Sequence, residues 1–436
     1  MRSGLVRVVV VSVGLACGLV ASRAAAIPVF ARIYDKPCGA CHSTFPQLNP
    51  EGENFRTHGF HGLQPAIKPI NAGSAVDLPG TLPIALYFTT GEDLSREVAA
   101  GHSPIRTHFN LNSLSVLAGG EIGQHLSFLV DYRPIEMEAD SGKTETYTVP
   151  YQAYVVGHVE GGGWLGNIRA GWYELPLGVS PAIHRLSARP YLIYGLNSCG
   201  LLSKDPPHGE CEYVSALSES QIGLELNAVH PKTGLNIATG FTNGSNNRLD
   251  NTASKDFYAH VSRAFGSEHV GLFVFYSPDI IGAGTNDRAL RIGPDIDFYS
   301  RRFRLLGQFL AGYDSNPTGY HQSLLYYGGF VEGDFRLTTA LLTLLRCDMA
   351  WMPQFDDRQA GGDTRQRRRL WEITGGMQLS LLQDLKLVAE LTYGENHEGV
   401  SNETEKTWAG TLRLVTAFWP FAPPLPTKES ILRLGS

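Results

Sequence analysis

The chain of 436 residues has little charge and few sulfur-containing side chains: 18% of its residues are charged, six are cysteine and five are methionine. It also lacks the series of roughly 20-residue apolar runs that a polytopic helical membrane protein requires, which excludes that class. A hydrophobic fraction of 43% excludes a largely disordered chain. Because the formal net charge is −6, no nucleic-acid partner is expected.

The first 26 residues have the pattern of a secretory signal peptide. Arg2 and Arg7 form a basic start, Val8 to Val20 form an apolar centre, and Ala24 to Ala26 supply a small-residue cleavage site. A membrane anchor is the alternative interpretation of this run. Export would place the rest of the chain in an oxidising compartment, where Cys199 and Cys211 could form a disulfide or remain two thiols.

One sharp motif follows the signal, the pentapeptide Cys38-Gly39-Ala40-Cys41-His42. A C-x-x-C-H sequence is typical of c-type haem attachment, in which both thiols add to the porphyrin and the next residue binds the iron. A thioredoxin-like redox pair, a disulfide and half of a zinc site are the alternatives. Export favours haem, because covalent attachment takes place outside the cytoplasm.

The sixth iron ligand is predicted among the residues that follow the motif. Asn49 as N-cap and Pro50 in the first turn predict a short helix from Pro50 to about His58, with Glu53 placed for a capping contact and Gly59 as its stop. No methionine occurs in this segment, so His58 or His61 is the expected ligand. The alternatives are water, no ligand, or a residue from elsewhere in the chain.

The remainder of the chain has the pattern of β-strands and is rich in glycine and aromatic residues. In residues 221–228 and 385–393, apolar residues alternate with polar residues or glycine. An apolar face opposite a polar face is typical of a lipid-facing wall around a wet lumen. A soluble β-sandwich with one buried face is the alternative.

The spacing of the strand segments favours an outer-membrane barrel. Connections after even-numbered segments are short, whereas those after odd-numbered segments are longer and polar, the pattern of periplasmic turns and extracellular loops. An even strand count returns both chain ends to the short-turn side, from which the haem segment is expected to enter. About sixteen segments are predicted, starting near residues 83, 106, 124, 144, 163, 219, 233, 254, 268, 288, 302, 322, 336, 368, 384 and 405.

The longest connection runs from about Leu175 to Ser218 and contains His184 and His208. By analogy with porins, this loop is expected either to fold into the lumen or to remain an ordinary surface loop. If it folds inward, its two histidines become further candidates for the sixth iron ligand.

The stretch from Val29 to His42, followed by Phe45-Pro46-Gln47-Leu48-Asn49, resembles the N-terminal signature of the fused monohaem cytochrome–porins. This family comprises outer-membrane iron-oxidising cytochromes and their relatives. The segment from Arg169 to Gly178 is also similar to one that is common in such porins. The resemblance implies one covalently bound haem c attached through Cys38 and Cys41, with His42 as an iron ligand.

The resulting expectation is an all-β outer-membrane protein that carries electrons, with a short helical haem segment plugging the barrel lumen. Its expected partners are outer-membrane lipid, an extracellular donor such as Fe(II) and a periplasmic carrier such as a soluble cytochrome. No catalytic residue is predicted, and Fe(II) oxidase activity is left open. The alternative function is a haem-containing porin for solute transport or sensing.

The predicted organisation has four parts, arranged in order along the chain. They are a signal peptide at 1–26, a haem-binding segment at 27–75, the barrel at 76–421 and a C-terminal tail at 422–436.

Overall fold

The computed structural model describes residues 29–63, 83–98, 105–137, 144–145, 150–181, 184–195, 217–244, 254–282, 285–317, 322–357, 364–382, 385–398 and 403–418. The predicted signal peptide, the Cys199–Cys211 pair, His208 and the C-terminal tail lie outside these residues. Within the described ranges, no helix is both long enough and apolar enough to cross a membrane.

Apart from two short strands near the N-terminus, the described strands form one closed antiparallel barrel in which neighbours along the chain pair with each other. Pairing of the last strand with the first, from Lys406 opposite Val98 to Phe418 opposite Leu86, closes the ring. The sixteen long strands are β3 (Ile84–Val98), β4 (Ile105–Ile122), β5 (Leu126–Met137), β7 (Gln152–Gly161), β8 (Trp164–Tyr173), β9 (Gln221–His230), β10 (Leu235–Thr242), β11 (Asp256–Phe265), β12 (Glu268–Gly282), β13 (Thr285–Tyr299), β14 (Phe303–Asp314), β15 (Leu324–Arg336), β16 (Leu341–Asp357), β17 (Thr364–Ser380), β18 (Leu385–Glu398) and β19 (Glu403–Phe418).

The closed barrel confirms the predicted fold class and makes the β-sandwich alternative wrong. One predicted strand differs: the segment expected near residue 144 is the two-residue β6 (Thr144–Glu145), which extends the ladder of β5. The long strand β7 begins only at Gln152. Pro150 lies between the two strands and has no N–H to donate, so the pairing cannot run through it unbroken.

Side chains along the strands alternate between the outer surface and the lumen. In β18, Leu391 is 70% exposed, whereas its neighbours Glu390 and Thr392 are buried. In β16, Leu345 is exposed, whereas Arg346 is fully buried. The outward face is therefore apolar, as predicted, and many inward side chains are polar. The predicted wet lumen is wrong at one level, where inward side chains such as Phe273, Leu306 and Phe330 form an apolar cluster.

Aromatic side chains form a row on the outer surface across neighbouring strands. Trp371 contacts Tyr393 at 5.4 Å between ring centroids, and Tyr393 contacts Trp408 at 4.5 Å. Tyr327 and Trp351 continue the row on β15 and β16, with their ring centroids 6.1 Å apart. Such a girdle is characteristic of the level at which a barrel wall meets lipid headgroups.

The N-terminal segment, residues 29–63, folds into short elements. They are helix α1 (Val29–Tyr34), a 3₁₀ turn (Cys38–Ala40), strands β1 (His42–Thr44) and β2 (Gln47–Leu48), and helix α2 (Pro50–Thr57). Helix α2 confirms the sequence prediction, since the Asn49 side chain accepts a hydrogen bond from the Gly52 N–H and Gly59 has a φ of 69°. The capping contact predicted for Glu53 is not formed, because its carboxylate pairs with Arg56 at 2.8 Å instead.

Hydrogen bonds with inward-facing side chains of β8, β14, β15 and β18 place the described part of the N-terminal segment inside the barrel. Asn167 on β8 donates to the Thr57 carbonyl at 2.9 Å, and Arg304 on β14 donates to the Leu48 carbonyl at 2.6 Å. The Gln47 amide donates to Asp334 on β15 at 2.8 Å, and Lys386 on β18 donates to the Phe45 carbonyl.

These four wall residues share a position along the barrel axis. Each lies within three residues of the strand end that adjoins a short turn. The described part of the segment therefore contacts the wall near the strand ends that adjoin short turns.

The described part of the long loop also lies inside the barrel. The Ser187 hydroxyl donates to Glu390 on β18 at 3.0 Å, Arg189 pairs with Glu372 on β17 at 2.8 Å, and the Leu192 N–H donates to Asp348 on β16 at 3.2 Å. The short helix α3 (Leu192–Gly195) ends this stretch. Inward folding is thus confirmed for residues 174–181 and 184–195, and the surface-loop alternative is wrong there.

The loop fills the lumen with apolar side chains. Its buried residues pack with those of the wall strands in one hydrophobic cluster. The loop contributes Leu175, Leu177, Tyr191, Ile193, Tyr194 and Leu217, and the wall contributes, among others, Phe273, Phe275, Leu306, Tyr326 and Phe330. A cluster of this kind excludes water from that level of the barrel.

Replacing Leu391 by Arg tests the assignment of the lipid-facing surface. Because Leu391 lies outside, in the middle of β18, a charge there should lower the free energy of unfolding by about 2–4 kcal/mol. Urea unfolding in phospholipid vesicles measures the change. Leu382→Arg, in the exposed turn before β18, is the matched control and should cost about 1 kcal/mol or less. Equal costs for the two variants would contradict the assignment.

Candidate functional site

The Cys38–His42 turn is held in place by the residue that caps helix α2. The Asn49 amide donates to the carbonyls of Gly39 at 3.3 Å and Ala40 at 3.1 Å, and its backbone N–H donates to the Cys41 carbonyl at 2.9 Å. The same side chain caps the helix. One residue therefore sets the position of the motif relative to α2.

The His42 ring is oriented by the backbone that follows it. Its Nδ1 lies 3.1 Å from the Pro46 carbonyl oxygen, which can only accept, so Nδ1 carries the proton and Nε2 keeps its lone pair. Burial lowers the pKa of His42 to about 4, which keeps the imidazole neutral. A neutral imidazole whose second nitrogen is fixed by a carbonyl is the form that binds a metal.

A cavity of about 640 Å³ opens beside this turn, within the size range of small-molecule and cofactor sites. Cys38, Cys41 and His42 all line it. We call it the N-terminal cavity. Most of its other lining comes from apolar side chains of the segment and the barrel, including Phe30, Tyr34, Phe45, Phe55, Leu129, Tyr154 and Val388, and charged side chains such as Arg133, Lys386 and Arg413 line the rest. The site therefore combines two thiols and one imidazole with a mostly apolar enclosure.

His184, from the long loop, lines the same cavity. Its Nδ1 is buried and has no hydrogen-bond partner among the described residues. Burial lowers the pKa of His184 to about 3, so this imidazole is also neutral. The loop therefore brings a second potential metal ligand to the cavity that His42 lines.

The two histidines that the sequence predicted as iron ligands lie outside the lining of the cavity. His58 ends helix α2, and its Nε2 is buried without a hydrogen-bond partner in the described part of the chain. His61 Nδ1 lies 2.9 Å from the Glu121 carboxylate, and its ring stacks on His158 with the centroids 4.8 Å apart. Their role as ligands stays a prediction.

Charged groups at the cavity are compensated locally. Burial by itself would raise the pKa of Glu53, but the charges of Arg56 and other nearby cationic groups, including Arg304, together with the hydrogen bond from Arg56, lower that pKa to about 2. Burial raises the pKa of Cys41, which keeps its thiol protonated. Arg56 also lines the cavity, and its charge is balanced by Glu53.

Sequence reasoning missed most of the barrel's contribution to the site. The polar wall residues Arg304, Asp334 and Lys386, which fix residues 45–48, sit in strands where alternation predicts only that they face the lumen. His184 appeared only as a fallback candidate on a loop. No local signal could have paired these residues with the Cys38–His42 turn, because the pairing depends on barrel closure.

Comparison with known proteins reveals similarity in structure. No protein-family model and no curated protein sequence matches the chain. An anion-selective porin from Comamonas acidovorans aligns with a TM-score of 0.52 and 12% identity over 77% of this chain and 99% of the porin. The outer-membrane channel DcaP of Acinetobacter baumannii aligns with a TM-score of 0.51 and 10% identity over 81% of this chain and 100% of the channel.

At 10–12% identity these similarities concern the fold alone. The closed sixteen-stranded ring, the outward apolar face and the two alignments agree. The chain has the porin-like fold of outer-membrane channels.

Proposed function

We propose that this chain is an outer-membrane protein that carries one covalently attached c-type haem at the short-turn end of its barrel. The observation that carries the proposal is the convergence of Cys38, Cys41 and His42 on one largely apolar cavity. The outward apolar face and the aromatic row support placement in a lipid bilayer. In this placement the N-terminal cavity lies towards the periplasm.

The residues at the cavity fit a c-type haem. Two thiols separated by two residues suit thioether attachment, and the neutral His42 with its fixed Nδ1 proton suits iron binding through Nε2. When bound, the haem supplies a one-electron redox centre. The apolar part of the lining would limit contact between the haem and water, which is a means by which proteins adjust haem chemistry.

His184 is the candidate for the sixth ligand that the cavity supports. It lines the same space as His42, whereas His58 and His61 do not. Two neutral imidazoles would hold the iron low-spin and at a lower potential than a His/Met pair. The sequence prediction of His58 or His61 remains the alternative.

Two functions are compatible with a haem-bearing barrel of this fold. Solute transport is supported by the comparisons, because the two aligned proteins are described as a porin and a channel. Electron transfer is supported by the geometry, because the segment and the long loop fill the lumen with buried side chains. The comparisons support solute transport more directly, whereas the filled lumen, which obstructs solutes, supports electron transfer.

The partners follow from the second function. An extracellular reductant such as Fe(II) would be the donor, because a spanning barrel carries electrons past an insulating bilayer. A soluble periplasmic cytochrome would be the acceptor, since the N-terminal cavity lies at the short-turn end. Fe(II) oxidation by this protein would require the bound haem, because the haem would accept the electron.

Replacing both Cys38 and Cys41 by Ala tests the attachment. The double variant, expressed in a host that matures c-type haem, should lose covalent haem staining on a denaturing gel, because no thiol remains for thioether formation. Cys347→Ala is the matched control, since that exposed cysteine lies on β16 and not at the cavity. Covalent haem that persists in the double variant would overturn the proposal.

Absorption spectroscopy of the oxidised protein distinguishes His184, His58 and His61 as candidates for the sixth iron ligand. His184→Ala should convert low-spin haem into high-spin haem that binds added cyanide more readily, because the sixth position opens. His184→Met should restore a low-spin state and raise the reduction potential. His58→Ala and His61→Ala serve as controls and should keep the wild-type spectrum. A spin change in either of them, with His184→Ala unchanged, would assign the ligand to that residue instead.

Ion conductance in planar bilayers decides between the two functions. A barrel whose lumen is filled by the segment and the loop should pass little current in either haem state, while its haem is still reduced by Fe(II) in detergent. The control is a variant lacking residues 184–195, which should conduct if the loop is what fills the lumen. Steady open-channel currents through the wild-type protein would favour solute transport.

A further inference from the structure

A second group of metal-ligating side chains lies in the lumen and is not part of the N-terminal cavity. His260 on β11, His269 on β12 and Asp295 on β13 occupy three adjacent strands. One ligand atom from each lies within 4.8 Å of the others. We propose that these three side chains bind a first-row divalent transition-metal ion.

The distances between the ligand atoms fit coordination to one ion. His260 Nε2 lies 2.9 Å from Asp295 Oδ2, and His269 Nε2 lies 3.8 Å from Asp295 Oδ1. Two ligands that are each ~2.1 Å from one ion, at tetrahedral or octahedral angles, are separated by ~3.0–3.4 Å. One observed distance is slightly shorter than this range and the other is slightly longer. A small movement of the His269 side chain towards Asp295 would therefore bring all three residues into coordination distance of one ion.

Residue 271 keeps the space between these ligands clear. Gly271 lies opposite Asp295 in the sheet, on the same face of β12 as His269. A Cβ on residue 271 would lie 2.5 Å from His260 Nε2 and 2.6 Å from both carboxylate oxygens of Asp295. The position of this Cβ is therefore close to His260 Nε2 and to both oxygens of Asp295. Any residue other than glycine at position 271 would place a side-chain atom there and obstruct an ion.

The donors in this group are those that transition metals select. Two imidazoles and one carboxylate form the set of many mononuclear Fe(II) and Zn(II) sites, whereas Ca²⁺ and Mg²⁺ prefer all-oxygen sites. Asp295 and His260 are buried, and His269 Nε2 is buried without a hydrogen-bond partner among the described residues. An ion would satisfy that nitrogen and balance the buried carboxylate.

The barrel provides both a cover and an entry for the ion. Gly178 of the long loop passes so close to Asp295 that a Cβ on it would lie 2.2 Å from the carboxylate carbon. The His269 side chain is 31% exposed and forms the open side.

The group also lies at the short-turn end, since His269 is the second residue of β12. The proposal is independent of the haem.

Zinc binding to the full-length protein in detergent tests the site, because Zn²⁺ is redox-inactive and leaves a haem unchanged. Equilibrium dialysis with metal analysis should find one site in the wild-type protein that is lost or strongly weakened in His269→Ala and Asp295→Asn. The loss in affinity should exceed the ~10–100-fold that removal of an outer-shell partner causes. Gly271→Ala, which retains all three ligands, should weaken binding as well.

Controls separate the site from general histidine binding and from misfolding. His230→Ala removes a histidine in a strand end beside a turn and should leave the site intact. Heat-modifiable migration on gels confirms that each variant is a folded barrel. The Cys38→Ala/Cys41→Ala protein should bind zinc like the wild type, so failure of the haem proposal and failure of this one are distinguishable. Equal zinc binding by wild type, His269→Ala and Asp295→Asn would overturn the proposal.

Discussion

Closure of the backbone hydrogen-bond ladder is the constraint on which the rest of the structure depends. A bilayer offers no water to an unpaired N–H or C=O group, so an open sheet edge cannot remain in contact with lipid. Pairing of β19 with β3 removes both edges. Once the ring is closed, the period of two along each strand sends alternate side chains to lipid and to the lumen.

Charged side chains of the wall strands that face the lumen must then be paired inside the barrel. Arg346 pairs with Asp348 at 2.6 Å, and Arg169 pairs with Glu225 at 2.8 Å. The chain inside the barrel accepts hydrogen bonds from some of the wall cations: Arg346 also donates to the Arg189 carbonyl at 3.0 Å, and Lys386 donates to the Phe45 carbonyl. A buried cation without such a partner would be costly, so the wall and its contents stabilise each other.

The same arrangement creates the candidate sites. The N-terminal cavity lies between three parts of the chain: the segment supplies Cys38, Cys41 and His42, the loop supplies His184, and the wall supplies apolar and polar sides. The His260–His269–Asp295 group is built from the wall alone, with the loop passing over it. Both sites lie at the short-turn end, where the lumen holds the segment.

The amino-acid sequence by itself determined the features that depend on near neighbours along the chain. Alternation predicted fifteen of the sixteen strand positions closely and failed only before Pro150, and Asn49 and Gly59 marked the ends of helix α2. Glu53 shows the limit of such reasoning, because Arg56, one turn further on, competes for its carboxylate. Only the tertiary structure decided which distant side chains meet, since His184 reaches the cavity of His42, and His260 reaches Asp295, through loop folding and strand register across a closed barrel.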